Sequence, residues 1–138
     1  MKLELVAYTP YVETLIATAM LTTTSGAKPS TLFNRIRENP KKIRETIGRL
    51  ETQHGSILEH SMINWIMEAT DEEALDILLE NKFYKIARIR TRRWLVSANL
   101  RTVIETLKLR EDPFSEALFY SLEEVAPTLH GCIGSGKL

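Results

Sequence analysis

Two histidines, a serine and a glutamate fall within seven residues at His54-Gly55-Ser56-Ile57-Leu58-Glu59-His60. Gathered where a helix gives way to a strand, such side chains can turn toward one ligand together with loop N–H groups. Zinc would need more. His54 and His60 are six apart rather than four, and no third ligand stands beside them. A serine triad would show a Gly-x-Ser-x-Gly elbow, which this chain lacks. The structural alternative is that Ser56 and Glu59 satisfy loop backbone groups while the histidines pack.

A second group runs through Trp94-Leu95-Val96-Ser97-Ala98-Asn99-Leu100-Arg101-Thr102 and on to Leu107-Lys108-Leu109-Arg110. A strand that ends in small polar residues and opens a helix offers N-terminal amides to an anion. Arg101 falls in the first helical turn, where a cation opposes the dipole unless an anion sits nearby. The alternative makes Asn99 a plain N-cap and pairs Arg101 with Glu105 one turn on. A third feature is a basic run. Lys82, Lys85, Arg88, Arg90, Arg92, Arg93 and Arg101 occur with no Asp or Glu among them. This run could follow a nucleic-acid backbone, with Tyr84 and Trp94 as stacking rings, or it could form a solvated strand face or meet a partner chain.

The whole chain is neutral, with 18 Lys and Arg against 18 Asp and Glu in 138 residues. That length predicts a single domain over 1–138, with a loose tail from about residue 131 around Gly131, Gly134 and Gly136. Overall neutrality gives no reason to invoke nucleic acid, so that partner is not expected. The single Cys132 excludes a disulfide scaffold and a multi-thiolate zinc site, and it fits a cytoplasmic protein. No apolar run reaches the ~18 residues of a membrane span.

The elements that must position these groups follow from periodicity. Leu3, Leu5 and Ala7 alternate with Lys2, Glu4 and Val6 and predict a first strand ending before Pro10. Val12, Leu15, Ile16, Ala19 and Met20 lie on one helical face. Pro29 and Asn39-Pro40 open two further helices, the second closing at His54-Gly55. Ser61–Thr70 reads as a strand, with Ile63, Trp65, Met67 and Ala69 inward. Asp71-Glu72-Glu73 begins a helix whose apolar stripe is Leu75, Ile77, Leu78 and Leu79. Within 84–97, Arg88, Arg90 and Arg92 are expected on one strand face. Helix resumes near Asn99. A last helix begins at Asp112-Pro113 and stops at Pro127. The fold class is α+β, helices on a small, mainly antiparallel sheet.

Three stretches together resemble the flavin-dependent thymidylate synthases (the ThyX family). Leu5 to Pro10 with the helix around Leu15-Ile16-Ala17-Thr18-Ala19 looks like the family's opening strand and helix. His54 to His60 looks like its His-x-Ser/Thr-x-x-Glu-His segment. Trp94 to Arg110 looks like its flavin and nucleotide segment. The resemblance implies a homotetramer that makes dTMP from dUMP, using FAD, NADPH and methylenetetrahydrofolate. It implies that His54, Ser56, Asn99 and Arg101 contact FAD. Arg110 would bind dUMP and assist ionisation of its pyrimidine, and Arg88 would be a second dUMP contact. The family's Arg-His-Arg signature is absent, with Arg88-Ile89-Arg90 as an echo, and Glu105 replaces an Asn or His. Two further readings therefore stand beside the synthase: a non-catalytic FAD- or nucleotide-binding oligomer, and a nucleic-acid-binding domain using residues 82–101.

Overall fold

A computed structural model describes residues 1–50 and 52–138, with the side chains of residues 52–54 outside that description. The fold is α+β: among the described residues, four antiparallel strands and eight helical segments. No helix of the described residues is long and apolar enough to cross a membrane. The chain forms two compact units. One gathers Met1–Thr9 and Glu59–Ser121, the other Pro10–Leu58 and Leu122–Leu138.

The first unit carries the sheet. Its strands are β1 (Lys2–Tyr8), β2 (Ile63–Glu68), β3 (Lys85–Arg90) and β4 (Arg93–Ala98), in the order β1-β2-β4-β3. The alternation expected in Ser61–Thr70 holds: Ile63, Trp65 and Met67 are fully buried. Directly paired residues share a face. Leu5, Trp65, Val96 and Ile86 therefore point inward, and Ile66, Leu95 and Ala87 point outward. Helix α4 (Asp71–Glu80) joins β2 to β3 and starts with a capping box: Thr70 Oγ1 accepts from the Glu73 amide, and Glu73 accepts from the Thr70 amide. Its expected apolar stripe is only half right. Ile77 is buried, but Leu75 and Leu79 are exposed.

The three arginines do not share a strand face. A bulge at Ile89 separates Arg88, which pairs with inward Trp94, from Arg90, which pairs with outward Arg93. One extra residue in a strand reverses the facing of the residues beyond it. Arg92 takes a left-handed backbone (φ 60°) in the turn, and its carbonyl accepts from the Ala69 amide.

Helix α5 (Leu100–Leu109) follows β4 directly. Asn99 caps it, its side chain accepting from Thr102 N–H at 2.9 Å. Helix α6 (Pro113–Val125) comes next, and inside the first unit Phe114 and Leu118 are buried along it. Tyr84 is 3% exposed, and its ring meets Phe114 edge-on at 5.7 Å. Its hydroxyl lies 2.6 Å from Thr106 Oγ1, whose own hydrogen goes to the Thr102 carbonyl; Tyr84 is therefore the donor. Burial pushes the Tyr84 pKa well above its ordinary 10. A group neutral in the fold but ionised in the unfolded chain loses its stabilising contribution as pH rises. Tyr84→Phe is expected to cost about 1 kcal/mol at neutral pH. It should also flatten the loss of stability above pH 10 in urea titrations.

The second unit is helical: α1 (Val12–Leu21), α2 (Pro29–Arg37), α3 (Pro40–Ile47) and α7 (Pro127–Gly134). Ala17, Leu32 and Ile36 form a core against which Leu21, Ala27 and Ile43 pack. Two expectations fail here. The third helix ends at Ile47, and Thr52–His60 is a separate 3-10 segment. Helix α6 stops before Pro127 as expected, but it is not the last: α7 begins there and runs to Gly134, into the expected loose tail. Its first turn is held by Glu13 of α1, whose carboxylate accepts from the amides of Thr128 (3.2 Å) and Leu129 (2.9 Å).

Candidate functional site

The start of α5 lines a concavity of about 400 Å³ bordered by Glu59, Phe83, Asn99, Arg101, Thr102 and Glu105. That volume is at the small end of ligand pockets. Its position follows from the local sequence. The β4 strand delivers Ala98 and Asn99 to a helix start, and Ser61 Oγ accepts the Leu100 amide at 3.1 Å to fix that start in place. One turn of helix then sets Arg101 and Glu105 on the same side, with Arg101 Nε 3.2 Å from Glu105. Glu59, from the end of the 3-10 segment, meets Arg101 Nη1 at 2.5 Å. The hydrogen bonds Arg101 donates to Glu59 and then Glu105 raise its pKa further.

The concavity unites Asn99 and Arg101 with Glu59, the acid of the His54–His60 segment. Ser56 is exposed and belongs to the helical unit. The side chain of His54, expected at the flavin, lies outside the described part of the structure. The expected i, i+4 pairing of Arg101 with Glu105 is present, and Glu59 adds a second carboxylate that sequence spacing does not announce.

The stacking rings differ from expectation. Tyr84 and Trp94 are 3% and 9% exposed, so neither offers a face to a base. Phe83 does: it is 61% exposed on the rim of the concavity, with Lys82 Nζ 5.4 Å from its centroid. Nothing in the spacing singled out Phe83. The available cue was an apolar ring directly after the helix end, beside an Asn whose side chain accepts the Phe83 amide at 3.0 Å.

The two arginines expected at dUMP are both engaged within the sheet unit. Arg88 stacks on Trp94 at 4.4 Å and meets Asp71 at 2.6 Å. Arg110 is more fully enclosed, its side chain 14% exposed. Its guanidinium bonds Asp112 at 2.5 and 2.8 Å, Asp76 at 3.0 Å, and Glu80. It also lies 5.7 Å from the Phe114 ring. Burial opposes the Arg110 charge, but the bonds to Asp112, Glu80 and Asp76 outweigh it and push the pKa up. Asp112 is likewise opposed by burial yet held below the ordinary carboxylate range by Arg110 and by the Ser115 amide.

No protein-family model matches the chain, and no curated protein matches it. No group of three or more His, Cys, Asp or Glu among the described residues could hold a metal ion. The donor set at Arg101 fits a phosphate poorly. Its one guanidinium is shared by two carboxylates, and the Leu100 and Thr102 amides already serve Ser61 and Asn99. It fits a neutral planar ring better, because a guanidinium and carboxylates together match a ring edge bearing both carbonyls and N–H groups.

Proposed function

We propose that this chain is a non-catalytic, flavin-binding relative of the flavin-dependent thymidylate synthases that grips the ring system rather than the phosphates. What supports this reading is the joint lining of one concavity by Asn99, Arg101, Glu59, Glu105 and exposed Phe83. The pyrimidine edge of a flavin presents a carbonyl, an N–H and a second carbonyl. Arg101 donates to a carbonyl, and Glu59 or Glu105 accepts the N–H. Phe83 supplies an apolar face for the flat ring. Bound there, a flavin would bring redox chemistry; the residues around it bind and orient only.

The synthase step has less support. A cation beside the dUMP pyrimidine must be free to stabilise developing charge, and Arg110 is taken up by Asp76, Glu80 and Asp112. The missing Arg-His-Arg signature points the same way. On this reading dUMP, NADPH and methylenetetrahydrofolate have no role. The oligomeric, cytoplasmic character implied by the family stays part of the proposal.

Flavin fluorescence titration tests it. Riboflavin, which lacks phosphate, is expected to bind within about threefold of FAD, since phosphates contribute little at a site of net negative charge. Arg101→Ala is expected to weaken both about tenfold, through loss of a charged hydrogen bond. FAD binding without riboflavin binding would overturn the ring-gripping mode. Failure of both flavins to bind would overturn the function. Tritium release from labelled dUMP is expected to be absent, and turnover would restore the synthase.

A further inference from the structure

Helices α2 and α3 carry charge that the flavin reading leaves unused. From Lys28 to Arg49 the sequence holds seven Lys or Arg against two acids, Glu38 and Glu45. The chain is neutral overall, so the rest of it is net acidic, and whole-chain neutrality hides this local excess.

The helices explain why these charges stand outward. Leu32 and Ile36 of α2 are buried, as is Ile47 of α3. Asn39 makes the joint between the two helices, its side chain accepting the Lys42 amide at 3.2 Å. Arg35, Arg37, Lys41 and Arg44 are left exposed. Lys41 and Arg44, three apart on α3, are neighbours on one helix face. Among the described residues one ion pair forms on this surface, Arg37 Nε with Glu38 at 3.7 Å, both side chains exposed. A pair of that kind contributes little and leaves the surface positive. Arg88, Arg101 and Arg110 differ, each bonding a carboxylate at close range.

An aromatic ring stands at the edge of this surface. Tyr11 precedes α1 in a left-handed backbone conformation (φ 56°), which costs a bulky residue stability, and it is 57% exposed. Phe33 of α2 meets its ring edge-on at 6.4 Å, and the Arg37 guanidinium lies 5.5 Å from its centroid. The ring is held by α2, open to water, and set beside a cation. Strained backbone that displays a ring points to a use for that ring.

We propose that this surface binds single-stranded nucleic acid, with Arg37, Lys41 and Arg44 on the phosphates and a base stacked on Tyr11. Guanidinium groups match phosphate oxygens in pairs, and an aromatic face accepts any base. In a duplex the bases are already stacked on one another, which leaves the ring without a partner. A lipid surface would call for apolar side chains among the charges, and none of the exposed large apolar residues belongs to α2 or α3.

Fluorescence anisotropy of the full chain with a labelled oligothymidylate of about 10 nucleotides tests this, over roughly 50 to 200 mM salt. Three phosphate contacts predict a slope of about −2 in log affinity against log salt. Lys41→Gln with Arg44→Gln, both exposed, is expected to flatten that slope by about 1.4. Tyr11→Gly, in a backbone conformation that suits glycine, is expected to weaken binding about tenfold, and Tyr11→Phe to leave it unchanged. Circular dichroism checks that each variant is folded. Failure to bind the oligonucleotide would overturn the inference, as would variants that bind like the wild type. Equal or tighter binding of the matching duplex, of oligoglutamate or of anionic phospholipid vesicles would overturn it too, by assigning the surface to charge alone. None of these residues borders the concavity at α5, so riboflavin binding is expected to be unchanged in every variant, and either reading can fail without the other.

Discussion

Arg110→Met is expected to destabilise the fold by about 2 kcal/mol, read as a lowered urea midpoint with an unchanged slope. Methionine keeps most of the side-chain volume, so the loss is electrostatic. The three carboxylates do not count equally. Asp76 is 68% exposed and Glu80 35%, so water screens both and their shares are small. Asp112 is 31% exposed, bonded twice by Arg110, and tied to the start of α6 through its bonds with Ser115. Without the guanidinium it becomes a partly desolvated charge near two others. The pH dependence has a definite sign. Asp112 has a lowered pKa in the fold, so its stabilising contribution is present above the ordinary 3.8 and is lost as pH falls through the lowered value. Acid also protonates the uncompensated carboxylates of the variant. The gap between wild type and variant should therefore narrow below about pH 4. A midpoint unmoved by Arg110→Met would mean that the cluster contributes nothing, and it would return Arg110 to the candidates for contacting dUMP.

The sequence made the inside of this fold easier to read than its site. The period-2 set Ile63, Trp65 and Met67 placed β2 and its buried face, because that signal is local. The expectation that helix resumes near Asn99 holds, with Asn99 as the N-cap of α5. What escaped depended on partners distant in the chain. Pro127 ends one helix, but Glu13, over a hundred residues earlier, caps another that begins there. The Ile89 bulge reversed the facing expected of the arginines, and no turn residue marks it. Arg110 looked free because its partners Asp76 and Glu80 lie 34 and 30 residues away. The concavity itself was half legible. Asn99, Arg101 and Glu105 share one helical turn, whereas Glu59 and Phe83 reach it from separate segments. Exposure also inverted the order of the aromatics: the ring at the site is Phe83, and those with polar handles, Tyr84 and Trp94, are buried with their hydrogen bonds made.

The same contrast between the two faces of the sheet sets the largest expected stability effect, at Trp65. This side chain is fully buried, on the inner strand β2, directly opposite Leu5 on one side and Val96 on the other. Its indole Nε1 donates to Ser121 Oγ at 3.1 Å, and that hydroxyl donates in turn to the Ala117 carbonyl. Trp65→Ala removes the ring from the core, and rigid strands on both sides prevent collapse into the space. A cost of about 4 kcal/mol follows from the cavity and lost burial together. Trp65→Phe keeps most of the ring and gives up the Ser121 bond with a smaller void, for about 2 kcal/mol. Leu95→Ala, on the outward face of the neighbouring strand, should cost less than about 1 kcal/mol, because part of that side chain already faces water. The order Trp65→Ala, Trp65→Phe, Leu95→Ala in chemical denaturation therefore reports which face the protein uses as its core. If Leu95→Ala cost as much as Trp65→Phe in the monomer, the outward face would be covered within one chain. A small cost would instead show that Leu95 draws little of its burial from its own chain.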